Sequence, residues 1–328
     1  MIAGVITLAK TKKETEFMPK AACSDQEFIA LFSQFGGAQT AKRLGIADRN
    51  VQQRRRRLED KYDRPIHPPS RTPTDHHPDR QTMTVKDGVV LVGSDAHYWP
   101  DIISTAHRAF VMACGMLKPQ IVVMNGDAFD GASISRHAAI GWEDNPSVEE
   151  EINACTERLG EIEAAAKGAS LVWTLGNHDA RFESRLATMA PEFAGVSGMH
   201  LKDSFPNWIP CWSLWVNDEV VIKHRWKGGV HATHNNAAGA GKTMVTGHLH
   251  SLKVTPYSDY NGCRFGVDTG TMAHPWGPQF RSYMEDNPRN WRSGFAALTF
   301  VDGRLMWPEV FHVIDDGLVE FRGKIYEV

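Results

Sequence analysis

Five short apolar runs, each ending in residues able to bind a metal, constrain this chain more than any other feature. Val89-Val90-Leu91-Val92 passes through Gly93-Ser94 into Asp95-Ala96-His97. Ile121-Val122-Val123-Met124 runs into Asn125-Gly126-Asp127-Ala128-Phe129-Asp130, and Leu171-Val172-Trp173-Thr174-Leu175 into Gly176-Asn177-His178-Asp179. Val220-Val221-Ile222-Lys223 ends at His224, and Met244-Val245-Thr246 at Gly247-His248-Leu249-His250. Continuous apolar runs of this length bounded by Gly read as buried strands. Sites in open α/β sheets form beyond the carboxyl ends of such strands. Five strands delivering Asp, His and Asn to one edge read as a metal site.

A chain of 328 residues can bury a sizeable core, and 42% hydrophobic with 23% charged residues is the balance of a soluble globular protein. No apolar run approaches a membrane span, and Met1–Lys10 has no basic residue ahead of its apolar stretch, so it reads as a poor signal peptide. The cysteines (Cys23, Cys114, Cys155, Cys211, Cys263) are odd in number and never in Cys-x-x-Cys spacing. Unbridged thiols in a reducing, cytoplasmic setting are expected.

The formal net charge of −3 hides an asymmetry. Residues 1–80 hold 15 of the 36 Lys+Arg and 10 of the 39 Asp+Glu, leaving 21 against 29 for residues 81–328. A basic end on an acidic body suggests that the first part meets something anionic.

After a loose arm over residues 1–23, Ser24 with Glu27 forms a capping box for a helix with Phe28, Ile29, Leu31, Phe32 and Phe35 on its apolar face. Gly36-Gly37 stops it, a short helix over 39–44 ends at Gly45, and a third runs from about Arg49 to Tyr62. This helical module, residues 24–63, resembles helix-turn-helix modules, with Ala41, Gly45, Ile46 and Val51 in suitable places. Arg54 stands where such modules usually carry an apolar residue. The run Arg54-Arg55-Arg56-Arg57 wraps most of a helical turn, so one of the four must face inward; phosphate contact is the functional expectation for the run. Pro65, Pro68, Pro69, Pro73 and Pro78 mark a semi-rigid linker over 64–82.

The domain expected over 83–328 opens with a strand–helix–strand rhythm, with helices over 101–117 and from Pro146-Ser147 to about Lys167, implying a largely parallel sheet. Beyond residue 210, Asn217-Asp218, Asn261-Gly262, Asp302-Gly303 and Arg322-Gly323 read as turns of an antiparallel sheet packed beside the first.

In order and spacing, Asp95-x-His97, Gly126-Asp127-x-x-Asp130, Gly176-Asn177-His178-Asp179, His224 and Gly247-His248-x-His250 resemble the signature of calcineurin-like metallophosphoesterases over roughly residues 85–275. The resemblance implies an α/β fold, a four-layer α/β/β/α sandwich, here joined to a small N-terminal α-helical domain, with two divalent metal ions (Mn, Fe, Zn or Ni, with Mn favoured in vitro) between the sheets. It implies that Asp95, His97 and His250 hold one metal, that Asn177, His224 and His248 hold the other, and that Asp127 bridges both. His178 would be a non-ligand catalytic histidine donating to the leaving oxygen, oriented by Asp179. Asp130 would support His97 or the metal shell. Arg181 and His137 are candidate phosphate contacts. His224 is preferred to the nearby His231 and His234 because it directly ends an apolar run.

The function expected is hydrolysis of a phosphate ester, a phosphodiester of nucleic acid first, with DNA as a partner of the basic module and no membrane partner. A monoesterase acting on nucleotides, small esters or phosphoproteins is the alternative, and a DNA-binding regulator with a structural metal domain is the non-enzymatic one.

Overall fold

The computed structural model describes residues 23–68, 77–137 and 140–328, so most of the expected N-terminal arm and the middle of the linker lie outside the described residues. The chain divides into two compact units, residues 1–74 and 75–328.

The first unit is helical. The α1 helix (Asp25–Leu44) carries the expected capping box, Ser24 accepting from the Glu27 N–H while Glu27 accepts from Ser24. It is broken at Gly36, whose φ of 73° and ψ of 177° are non-helical, and it closes on Gly45 in the left-handed region. The α2 helix (Asp48–Tyr62) lays Val51 and Leu58 against Phe28, Phe32, Ala41 and Ile66. The arginine run divides along this packing. Arg54 points inward, its guanidinium donating to the Cys23 carbonyl (2.7 Å), pairing with Asp25 (3.2 Å) and lying 4.7 Å over the Phe28 ring. Arg55 lies 5.6 Å over Phe32, and Arg56 and Arg57 are exposed. A charged side chain thus fills an apolar position by burying its stem on an aromatic ring and pairing its head.

In the second unit the strands are β1 (Gln81–Met83), β2 (Gly88–Gly93), β3 (Ile121–Met124), β4 (Ser170–Thr174), β5 (Ile209–Cys211), β6 (Leu214–Val216), β7 (Val220–Ile222), β8 (Thr243–Thr246), β9 (Lys253–Asp259), β10 (Gly262–Asp268), β11 (Gly294–Val301), β12 (Arg304–Leu305), β13 (Glu309–Asp315), β14 (Leu318–Phe321) and β15 (Lys324–Glu327). They form two sheets, one ordered β1-β6-β7-β8-β10-β9, the other β15-β14-β13-β11-β2-β3-β4-β5 with β12 beside β11.

The helices are α3 (Thr105–Leu117), α4 (Val148–Ala165), α5 (Asp179–Met189) and α6 (Ala232–Ala240). Alternation along each strand sends side chains to opposite faces. Val90 and Val92 of β2, Val123 of β3 and Val172 of β4 therefore meet Leu214, Val216, Ile222, Val245 and Val267 of the other sheet in one core. Leu91, Val122, Met124 and Trp173 point the other way, into a second core with Ala106, Phe110, Leu159 and Ile162 of α3 and α4. On the far side α6 packs on β8, β9 and β10. Helices, sheet, sheet and helix make the four layers that the resemblance implies.

Three expectations need correction. The second half is not one antiparallel sheet: β11 and β13–β15 extend the first sheet, while β7, β8 and β10 run parallel in the second. Hairpin turns were legible, but which sheet each hairpin joins depends on long-range pairing. The helix expected from Asp101 begins at Thr105, capped by Ser104. A helix directly after His178, α5, was not anticipated. In addition, β1 already pairs with β6 from Gln81, and Pro78 accepts from the Trp212 N–H, so ordered sheet begins within the Pro-rich stretch. All five cysteines are free.

Candidate metal centre

The strands β2, β3 and β4 of one sheet and β7 and β8 of the other end at a common edge, and the loops leaving them carry every expected ligand. Asp95, His97, Asp127, His248 and His250 all have positive φ, from 40° to 71°. Non-glycine residues adopt that region sparingly, and cluster there at sites where packing enforces it.

Two glycines explain the spacing of the motifs. A Cβ on Gly176 would lie 2.0 Å from Asp127 Oδ1, and one on Gly247 would lie 2.4 Å from Asp95 Oδ2. Each glycine clears room for a carboxylate, and the histidine just beyond helps to fix it. The His178 N–H donates to Asp127 Oδ1 and the His248 N–H to Asp95 Oδ2, both at 2.8 Å. The free oxygens face imidazoles: Asp95 Oδ1 is 3.0 Å from His250 Nε2, and Asp127 Oδ2 is 3.0 Å from His224 Nε2.

Asp95, His97 and His250 form one potential metal-binding group and Asp127, His224 and His248 another, the ligand atoms within each lying within 4.8 Å of one another. The groups adjoin, for His224 Nε2 is also 3.9 Å from Asp95 Oδ1. His231 and His234 are exposed, at the start and on the surface of α6.

The imidazoles are oriented as ligands require. His224 Nδ1 donates to the Asn125 carbonyl (2.8 Å) and His97 Nδ1 to Asp130 Oδ1 (2.7 Å). His250 Nδ1 and Asn177 Oδ1 are buried atoms without a hydrogen-bond partner among the described residues. Such atoms are costly unless something coordinates them.

Charge makes the same demand. Burial opposes ionisation of Asp95, but His250 and His224 outweigh it and hold the carboxyl at about 2. Asp127 is likewise held well below the carboxylate range by His224 and His178 against its burial. Burial alone would lower His224, yet Asp127 and Asp95 push it up to about 10. Two buried carboxylates hold a proton where a cation would serve, so the residues fit a pair of divalent ions.

His178 sits across from His97, ring centroids 4.6 Å apart, with its Nδ1 3.0 Å from both the carbonyl and Oδ1 of Asp130. Burial lowers its pKa, but Asp127 and Asp130 outweigh this and raise it. Its Nε2 lies 3.2 Å from Arg181 Nη2 and 4.0 Å from Asp127 Oδ2. Arg181, on the first turn of α5, also donates to the Asp130 carbonyl at 3.0 Å. Exposed His137 lies in the loop after β3, and none of its described contacts reaches these groups.

The expectation that Asp179 orients His178 is not met. Its carboxylate accepts from the N–H groups of Asp127 (2.8 Å), Gly176 (2.8 Å) and Phe129 (3.1 Å), and from Trp173 Nε1 (3.0 Å). It fastens the ligand loops after β3 and β4 together, and Asp130 takes the orienting role. Burial and the Asp127 charge push Asp179 up to about 6.

Sequence reasoning missed two similar fasteners. Asp268, at the end of β10, accepts from the N–H groups of Ser251, Leu252 and Gly270, which follow His250 and β10. Glu151 reaches from α4 to the N–H groups of Gly131 (2.5 Å) and Ala132 (2.9 Å), just past Asp130. Each acid lies far in sequence from most of what it binds, and no short motif marks it. Also missed was an aromatic wall, with Phe280 5.1 Å from His97 and Trp291 4.4 Å from His250.

The two packed sheets and the Asp and His groups at their shared edge agree with the resemblance to calcineurin-like metallophosphoesterases. Among solved structures the chain is similar to a Vps29 variant from Entamoeba histolytica, with 14% identity, TM-score 0.38, and 73% of this chain and 99% of that one covered. Wild-type Vps29 from the same organism, complexed with zinc, has 13% identity, TM-score 0.35 and coverage of 73% and 98%. The phosphoesterase YfcE from E. coli has 16% identity, TM-score 0.34 and coverage of 67% and 97%. No protein-family model and no curated protein sequence matches the chain.

Proposed function

We propose that this protein is a metal-dependent phosphodiesterase acting on nucleic acid. The observation that carries the reading is the convergence of Asp95, His97, His250 and Asp127, His224, His248 from two sheets into adjoining buried groups, with the buried, unpartnered Asn177 Oδ1 completing the expected donor set. A scaffolding site needs neither a second cluster nor an imidazole beside it.

Two divalent ions, with Mn2+ the choice in vitro, would supply positive charge to the attacking and leaving oxygens of an in-line displacement at phosphorus. The chain's own residues do the rest. Asp130 holds the Nδ1 proton of His178, leaving Nε2 as the atom that gives a proton to the departing oxygen. Arg181 Nη2 donates to that nitrogen when it is deprotonated, and its guanidinium is placed to meet a phosphate oxygen. Gly176 and Gly247 keep the two carboxylates in place, and Phe280 and Trp291 exclude water from one side.

The nucleic-acid part of the proposal is supported by the helical module, whose α2 helix exposes Arg56 and Arg57. Asp127→Ala or His248→Ala should abolish Mn2+-stimulated hydrolysis of bis-p-nitrophenyl phosphate while the circular dichroism spectrum is unchanged. Undiminished turnover in both would refute the reading, and faster turnover of the monoester than of the diester would favour a monoesterase.

A further inference from the structure

The geometry points to a single-strand nucleic-acid track on the outer face of the six-stranded sheet, entered over Trp226 beside the metal centre. This inference names the substrate class of the site and rests on the phosphodiesterase reading above.

Ile222 faces the core between the sheets and His224 faces the metal groups, so Lys223 between them turns to the opposite face. There it borders a cavity of about 380 Å³ lined also by Arg80, Trp215, Trp226 and Lys242, with Asp79 the sole acid on the wall. Trp215 is flanked by cations, the Arg80 guanidinium 3.6 Å from its ring centre and the Lys242 ammonium 5.3 Å away. Lys242 also pairs with Asp218 at 3.4 Å, whereas half-buried Lys223 has no carboxylate partner among the described residues.

Trp226 is 45% exposed and carries the Lys227 ammonium 4.8 Å from its ring centre, so an aromatic surface and a cation are presented together. It stands two residues past His224, a span of at most about 7 Å, so the lip of the cavity adjoins the metal centre. Its neighbours Arg225 and Lys227 are exposed as well. Four of these five cations around two tryptophans fall among residues 81–328, which carry 29 acids against 21 bases. Cations spaced along a groove that also offers aromatic faces are what an unpaired strand requires, because its phosphates need charge and its bases need a face. A duplex has no free base faces to offer, and a mononucleotide would use one end of the groove only.

The test compares kcat/KM on the oligonucleotide dT12 with kcat/KM on bis-p-nitrophenyl phosphate, using the full chain and Mn2+. In Arg80→Ala/Lys242→Ala the dT12-to-diester ratio should fall tenfold or more. The ratio should stay near that of the wild type in Arg80→Lys/Lys242→Arg, which keeps the charges, and in Lys324→Ala on the distant β15. An unchanged ratio in the double alanine variant overturns the inference, as does an equal loss with mononucleotide diesters. Should the wild type turn over neither substrate, the phosphodiesterase reading fails separately. The track is then decided by anisotropy of labelled dT12: tenfold weaker binding in the double alanine variant supports it, and equal binding overturns it.

Discussion

Asp179 Oδ2 accepts the main-chain N–H of Asp127 at 2.8 Å, so one buried carboxylate positions another, whose Oδ1 in turn accepts the His178 N–H at 2.8 Å. Asp179→Ala leaves three backbone donors and the Trp173 indole without that acceptor. Unpaired buried donors cost about 1–3 kcal/mol each, so a loss of several kcal/mol is expected in chemical denaturation, with weaker Mn2+ binding. A variant as stable as the wild type would show that the loops after β3 and β4 hold their form unaided.

Gly176→Ala tests the close approach at the same carboxylate. The added methyl would fall 2.0 Å from Asp127 Oδ1, so Asp127 must move. Calorimetric Mn2+ affinity should fall at least about tenfold, the usual scale for disturbing what orients a ligand, while the fold persists. Equal affinity would contradict the geometry.

Glu151 sets a pH dependence. Burial and the Asp130 charge raise its carboxyl from 4.5 to about 7 despite the two backbone donors. A raised acid binds its proton more tightly folded than unfolded, so this contribution to stability is full below about pH 4.5 and is lost as pH rises through about 7. The effect is at most about 3 kcal/mol. Urea midpoints at pH 5 and pH 8 should differ in that direction, and Glu151→Gln should flatten the difference; a slope unchanged in the variant would assign it to other groups.

The four arginines of α2 should separate into two kinds. Arg56→Ala/Arg57→Ala should weaken duplex DNA binding and lower the slope of log K against log salt by about 2, one for each phosphate no longer neutralised. Arg54→Ala should instead destabilise the helical module, since its guanidinium joins Cys23, Asp25 and Phe28. Identical effects of the two variants on binding and melting would erase the distinction.

The centre was legible because a strand delivers its ligands locally: Asp95 and His97, or His248 and His250, are neighbours in the chain and need no long-range information to be recognised. His224 stands alone in sequence, and the apolar run that ends on it brings it to 3.0 Å from Asp127. What stayed hidden depends on chain closure. Nothing near Asp179 in sequence announces that it reaches back to Asp127 rather than to adjacent His178, and Asp268 and Glu151 likewise reach residues well outside any short motif. The same reason explains the sheets: turns at Asn261-Gly262 and Arg322-Gly323 are local, whereas the pairing of β11 with β2 joins residues some two hundred positions apart.

Metal stoichiometry tests the central claim most directly. Equilibrium dialysis of the full chain against Mn2+, followed by elemental analysis, should give two ions per wild-type chain and fewer than one in Asp127→Ala, because the resemblance has that carboxylate bridging both groups. A wild-type chain that retains no metal, or an Asp127→Ala variant that retains two ions, would contradict the account.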